Sequence, residues 1–275
     1  MYSQERINAY LNSLERPQNP ALEKIRQQAL AEGVPIIRPA VQSLLQFFMK
    51  LSRPESILEV GTAVGYSALC MREACGESCH IVTIEKDAER IAKARENFAA
   101  FGAQDQIRLL EGDAADRLRE LPDGVFSFIF MDAAKGQYLA FLPEVCRVLA
   151  PGGMIFSDNV MQEGEVMDSR FAVPRRDRTI HSRMRRYLYV LKHTEGLTTS
   201  VLPLGDGVAV TVKEGESVRL MSAESPEKEA GSAAARDDGR ESAPGADSCG
   251  IHSGAVAAGN AAIQKDTAGG ENDGE

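Results

Sequence analysis

Residues 56–67 read Ser56-Ile57-Leu58-Glu59-Val60-Gly61-Thr62-Ala63-Val64-Gly65-Tyr66-Ser67, an apolar run that stops at a glycine turn and resumes as a helical pattern. Strand, glycine turn and helix in that order open a βαβ unit, and the turn at the strand's carboxyl end is where open α/β sheets bind ligands. The glycines are spaced G-x-x-x-G. They lack the three-glycine G-x-G-x-x-G of a pyrophosphate binder, and no Lys-Ser/Thr follows to make a nucleoside-triphosphate loop. The spacing suits a ligand without a pyrophosphate.

Outward from this stretch, short apolar runs alternate with helical ones, the pattern of a largely parallel sheet. Strands are expected at 56–60, 80–85, 106–111, 125–131, 153–157, 198–202 and 207–212. Only Pro203-Leu204-Gly205-Asp206 separates the last two, too short for a right-handed crossover, so they should form an antiparallel hairpin at the sheet edge. The expected fold is α/β: a Rossmann-like, seven-stranded, mostly parallel sheet with an antiparallel last strand. Helices at 3–14, 20–32 and 39–51 precede it and should cap the site or form the surface of a homodimer.

The strand ends carry the chemistry. The second strand closes at Glu85, where a carboxylate can accept both hydroxyl hydrogens of an unsubstituted ribose; the third closes at Gly112-Asp113-Ala114, placed for an adenine edge. With the loop residues Glu59, Gly61 and Ser67, three successive strand ends offer amino-acid, ribose and base contacts, which describes S-adenosyl-L-methionine (AdoMet). Each piece alone has a plainer reading, as a structural turn or a solvated strand end. The fourth strand ends in Phe130-Met131-Asp132-Ala133-Ala134-Lys135-Gly136 and the fifth in Phe156-Ser157-Asp158-Asn159-Val160. Asp132, Asp158 and Asn159 make an all-oxygen donor set suited to Mg²⁺ or another hard divalent cation. The plain alternative for Asp132 is a helix N-cap. Methyl transfer from a sulfonium needs a deprotonated oxygen held in line, which a metal favours. Lys135 is the candidate base; otherwise it is a solvated lysine at a loop tip.

Residues 34–213 resemble the cation-dependent O-methyltransferases of the catechol and caffeoyl-CoA type, through LEVGTAVGYSA, VTIEKD, GDA, FMDAAKGQY, LAPGGMIFSDNV and PLGDGVAV. Within that family the likeness is closest to the bacterial tRNA 5-hydroxyuridine methyltransferases, which make 5-methoxyuridine at the wobble position. It includes Val34-Pro35-Ile36, the DAAKGQY and DNV blocks and a basic stretch after the latter. The resemblance implies AdoMet contacts at Ile37, Ser67, Glu85, Ala114 and Asp132, Mg²⁺ on Asp132, Asp158 and Asn159, and the base at Lys135.

That basic stretch bears on the substrate. From Arg170 to Lys192 eight basic residues, among them Arg175, Arg176, Arg178, Arg183 and Arg186, face one acid, Asp177. Arginine forks grip phosphates, and an anticodon stem-loop offers several near a splayed base, so tRNA is the expected partner. Tyr187 and Tyr189 are candidates to stack on a base or to pack the core. A small-molecule catechol or caffeoyl-CoA type enzyme would keep the same sheet and turn the arginines to a carboxylate or coenzyme phosphate. A non-catalytic binding module would not need three oxygen ligands.

Composition divides the chain near Lys213. Residues 214–275 hold 13 acidic and 5 basic residues, net −8 of the whole chain's −9, with no aromatic residue, and are expected to be a disordered acidic Ala/Gly/Ser-rich tail beyond a domain at 1–213. Net acidity therefore belongs to the tail and does not argue against an anionic substrate. Five cysteines without a C-x-x-C pair point to a reducing compartment rather than to zinc. The polar start lacks a secretory apolar run and no stretch suits a membrane span, so a cytoplasmic location is expected.

Overall fold

The computed structural model describes residues 4–76 and 78–221. Three helices come first: α1 (Gln4–Ser13), α2 (Pro20–Ala31) and α3 (Pro39–Ser52). Prolines stand in the first turn of α2 and α3, where a missing N–H costs nothing, and the Asn19 side chain caps α2 by accepting from the Ala21 amide at 3.0 Å. Then β1 (Ser56–Val60), α4 (Tyr66–Cys75), β2 (His80–Glu85), α5 (Ala88–Ala100), β3 (Ile107–Glu111) and α6 (Ala114–Glu120) alternate. The second half follows with β4 (Phe126–Met131), α7 (Tyr138–Val148), β5 (Leu149–Ser157), α8 (Arg178–His193), β6 (Leu197–Leu202) and β7 (Val208–Lys213).

The seven strands form one sheet in the order β3-β2-β1-β4-β5-β7-β6. All pairs are parallel except those of β7, which runs antiparallel to both β5 and β6. The expected hairpin is present. Apolar side chains fill both faces: Ile57, Phe128, Phe130 and Phe156 meet α2 to α5, while Leu58, Ile129 and Ile155 meet α6 to α8. A sheet covered on both sides needs unbroken apolar strands, hence the run Phe128-Ile129-Phe130-Met131 in β4. Strand order reverses between β1 and β4, so the chains leaving their carboxyl ends turn to opposite faces of the sheet, α4 to one and α7 to the other, and open a crevice.

Two boundaries differ from expectation by more than a residue. β5 begins at Leu149, not Gly153, because Leu149 pairs with Phe126 before a bulge at Pro151-Gly152-Gly153 shifts the pairing to Met154 opposite Phe128. The ordered chain also outlasts Lys213. Val218 and Leu220 pack on the α6–α8 side of the core, the backbones of Arg219 and Glu195 form an antiparallel β-bridge, and the Met221 amide donates to Thr194 Oγ1 at 3.3 Å. These few apolar residues suffice to dock a segment whose overall composition reads as a tail. The remainder of the expected tail, 222–275, lies outside the described residues. Among the described residues no helix is long and apolar enough to cross a membrane.

Candidate functional site

A cavity of about 430 Å³ lies at the carboxyl edge, between the β1, β2, β3 and β4 ends and the segment before α3. That volume is typical of a small-molecule cofactor site. Of the residues singled out in the sequence, Ile37, Gly61, Ser67, Glu85, Asp113, Ala114, Asp132, Lys135 and Asn159 line it. Glu59 does not. It is fully buried and accepts from Ser67 Oγ and Thr83 Oγ1, both at 2.5 Å, and burial pushes its carboxyl up to about 7. Its role is to hold Ser67, which faces the cavity.

The glycine loop is shaped by its neighbours. Gly61 has φ +94°, and a Cβ there would sit 2.5 Å from the Asp132 carbonyl oxygen, so β1 and β4 approach as closely as backbone allows. Gly65, at φ +84°, starts α4 against the Phe98 ring. Glu85 fixes the loop from below: its carboxylate accepts from the amides of Ala63 at 2.9 Å, Lys86 at 2.8 Å and Asp87 at 3.0 Å. Lone pairs remain for a ligand, since a carboxylate offers about four acceptor positions. Asp113 caps α6 through the Ala115 amide and pairs with Lys86 at 3.4 Å; the cap lowers its pKa.

Beside the switch point the two acidic strand ends, of β4 and β5, meet. Asn159 Nδ2 donates to Asp132 Oδ1 at 3.2 Å, and the Asn159 amide donates to Asp158 Oδ1 at 2.7 Å. Asn159 sits at φ +59°, a left-handed conformation that asparagine tolerates better than most residues. Asp132 and Asn159 line the cavity, whereas Asp158 is 2% exposed and stands behind them. Burial raises the pKa of both carboxylates, and Asp132 raises that of Asp158 further. Two desolvated carboxylates and an amide oxygen form a donor set that a hard divalent cation would relieve of mutual repulsion, so these residues fit such an ion. Among the described residues no three His, Cys, Asp or Glu side chains gather as a metal site, so the set depends on the amide. Beneath it, the buried Tyr138 hydroxyl lies 3.0 and 3.1 Å from the carbonyls of Met131 and Asp158 and shares its one hydrogen between them, tying the β4 and β5 ends together.

Sequence reasoning missed Asp206. It reads as part of a hairpin turn, yet it is 4% exposed and its Oδ2 lies 3.0 Å from Lys135 Nζ. The signal was an aspartate bracketed by glycines in Gly205-Asp206-Gly207. The turn is drawn to the site by two backbone bonds, Val160 N to Gly207 O at 3.0 Å and Met161 N to Asp206 O at 2.8 Å.

The basic stretch divides. Arg175 and Arg176 are exposed, Arg176 beside Asp177 at 3.1 Å. Arg178 donates to the Val173 carbonyl at 3.1 Å, and Arg183 to that of Gly136, next to Lys135, at 3.1 Å. Arg186 is half-buried, its Nε without a protein acceptor. Tyr187 is a core residue: 1% exposed, hydrogen-bonded to Ser157 at 2.7 Å and edge-on to Tyr138. Tyr189 stacks on His193 with centroids 4.0 Å apart.

A doubly covered sheet with this strand order, a glycine loop after β1 and acidic β4 and β5 ends defines the methyltransferase class of α/β proteins. Residues 12–214 match the O-methyltransferase family, and the chain belongs to it. The catechol O-methyltransferase of Niastella koreensis is 31% identical over 175 residues, 62% of this chain and 79% of that protein. The S-adenosylhomocysteine-bound methyltransferase of Podospora anserina superposes with a TM-score of 0.69 at 25% identity, covering 81% of this chain and 98% of that one. For the S-adenosylhomocysteine complex of the Bacillus cereus O-methyltransferase the TM-score is 0.66 at 25% identity, with 76% and 97% covered.

Proposed function

We propose that this protein transfers the methyl group of AdoMet, with Mg²⁺ or another hard divalent cation, to 5-hydroxyuridine at the wobble position of a tRNA anticodon, giving 5-methoxyuridine. The observation that carries this reading is the bond from Arg183 to the Gly136 carbonyl: basic helix α8 leans directly on the loop that holds Lys135. A splayed base with phosphates on either side is the substrate such a junction suits. The 5-hydroxyl stands beside the O4 carbonyl, a vicinal oxygen pair like that of a catechol.

Ile37, Gly61, Glu85 and Ala114 seat the donor. Asp132, Asp158 and Asn159 would hold the cation, which when bound favours the deprotonated form of a hydroxyl and fixes its direction. Lys135 is the base that takes the hydroxyl proton, and Asp206 holds Lys135 in place. The oxygen then forms its bond to the methyl carbon as the carbon–sulfur bond breaks, leaving S-adenosylhomocysteine. Such a protein works in the cytoplasm, where tRNA is.

The name of the Niastella relative favours a second reading, a small-molecule catechol or caffeoyl-CoA type enzyme. Labelled AdoMet and Mg²⁺ offered with either hypomodified tRNA or catechol separates the two. Label should enter tRNA, with an affinity that falls steeply as salt rises because phosphate contacts release counterions. Label on catechol alone would refute the RNA reading.

A further inference from the structure

The segment between β5 and α8 displays an aromatic ring that nothing in the fold requires. Phe171 is 86% exposed, although the backbone around it is pinned. Val166 and Val173 are buried on either side. Arg185 donates to the Val166 carbonyl at 3.0 Å, His181 Nε2 lies 3.1 Å from the Asp168 carbonyl, the Ala172 amide donates to Ser169 O at 2.8 Å, and Arg178 holds the Val173 carbonyl. A phenyl ring left in water on a fixed turn keeps its apolar surface for a ligand. Arg170, Arg175 and Arg176, all exposed, surround it in sequence.

Its place along α8 follows from two side chains. Arg178 reaches the Phe171 turn and Arg183 reaches Gly136, and five residues of helix put these anchors about 7.5 Å apart along the axis. One helix thus carries an anchor on the Phe171 turn and another on the loop that holds Lys135. An isolated aromatic face among cationic side chains matches the alternation of base and phosphate in single-stranded nucleic acid, not a broad protein surface.

We propose that Phe171 is a stacking platform for an unpaired nucleobase flanking the target nucleotide, with Arg170 and Arg175 on the adjoining phosphates. This rests on the RNA reading above. The chain has no tryptophan, so Phe171→Trp introduces a sole indole reporter. An anticodon stem-loop should quench its fluorescence, and a fully paired duplex of the same length should not. Phe171→Ala should raise KM for tRNA roughly tenfold while AdoMet binds with wild-type affinity. An unchanged KM in an enzyme that methylates tRNA, or equal quenching by loop and duplex, would overturn the platform and leave the RNA reading standing. No transfer to tRNA by the unmodified enzyme, with quenching by an acyl-coenzyme A instead, would overturn both.

Discussion

Lys135 and Asp206 lie 71 residues apart in sequence and 3.0 Å apart in space, joined across the cavity edge by an ion pair whose carboxylate is almost wholly buried. The pair connects the loop after β4 to the β6–β7 hairpin. It sets the direction of Lys135, one of the two lysines that line the cavity, and so ties the hairpin to the candidate base.

Lys135→Ala is expected to lower kcat by roughly 10²–10⁴-fold, the usual contribution of a general base, while AdoMet affinity stays intact. Asp206→Asn should lower kcat less, through misplacement of Lys135, again without weakening AdoMet binding. Single-turnover rates and equilibrium titration check both. Near-normal turnover in Lys135→Ala would remove the lysine from the mechanism.

At Gly61, alanine combines a positive φ with a Cβ 2.5 Å from the Asp132 backbone, so Gly61→Ala should lose about 1–3 kcal/mol from strain alone and bind AdoMet poorly. Gly152 is the control, since it also has positive φ, +74°, but nothing lies within 4 Å of a Cβ. Gly152→Ala should keep AdoMet affinity. Equal loss in both variants would show that close approach at Gly61 is not what matters.

For Glu59 the sign is fixed by burial. Its carboxyl, ordinarily near 4.5, is pushed up to about 7, so the folded state holds its proton more tightly than the unfolded chain. That contribution to stability is complete below pH 4.5 and is lost as pH rises through 7. Glu59→Gln cannot ionise and should gain stability relative to the parent between pH 5 and 8. Calorimetry of both proteins across that range measures it; a constant difference in Tm contradicts it.

Ile7, Tyr10 and Leu11 on α1, with Leu14 just after it, form an exposed stripe at helical spacing, and α1 packs on α3, whose Phe47 and Leu51 are exposed as well. Exposed apolar side chains gathered on neighbouring helices suit a face that a second copy covers. We propose a homodimer through this face. Tyr10→Glu with Leu14→Glu should give a monomer by sedimentation while AdoMet still binds. An unchanged sedimentation coefficient, or a parent that is already monomeric, contradicts the interface.

Much of this was legible in the residues because it is local. Apolar runs ending in Gly61, Glu85, Asp113, Asp132 and Asp158 gave the strands and the edge they share, since a parallel sheet brings its carboxyl ends together. What depended on tertiary position did not show. Glu59 and Glu85 look equivalent as strand-end carboxylates, yet one is sealed behind the cavity and the other lines it. Asp206 looked like turn chemistry until the hairpin folded back on Lys135. Charge counting treated the arginines from Arg170 to Arg186 as one patch; hydrogen bonds to loop carbonyls set Arg178, Arg183 and Arg185 apart from Arg170, Arg175 and Arg176.

The central claim is the identity of the methylated oxygen, and nucleoside mass spectrometry of tRNA from a strain lacking this protein tests it most directly. The account predicts that 5-methoxyuridine disappears while 5-hydroxyuridine accumulates, and that the parent protein, but not the Lys135→Ala variant, restores it. An unchanged level of 5-methoxyuridine would contradict it.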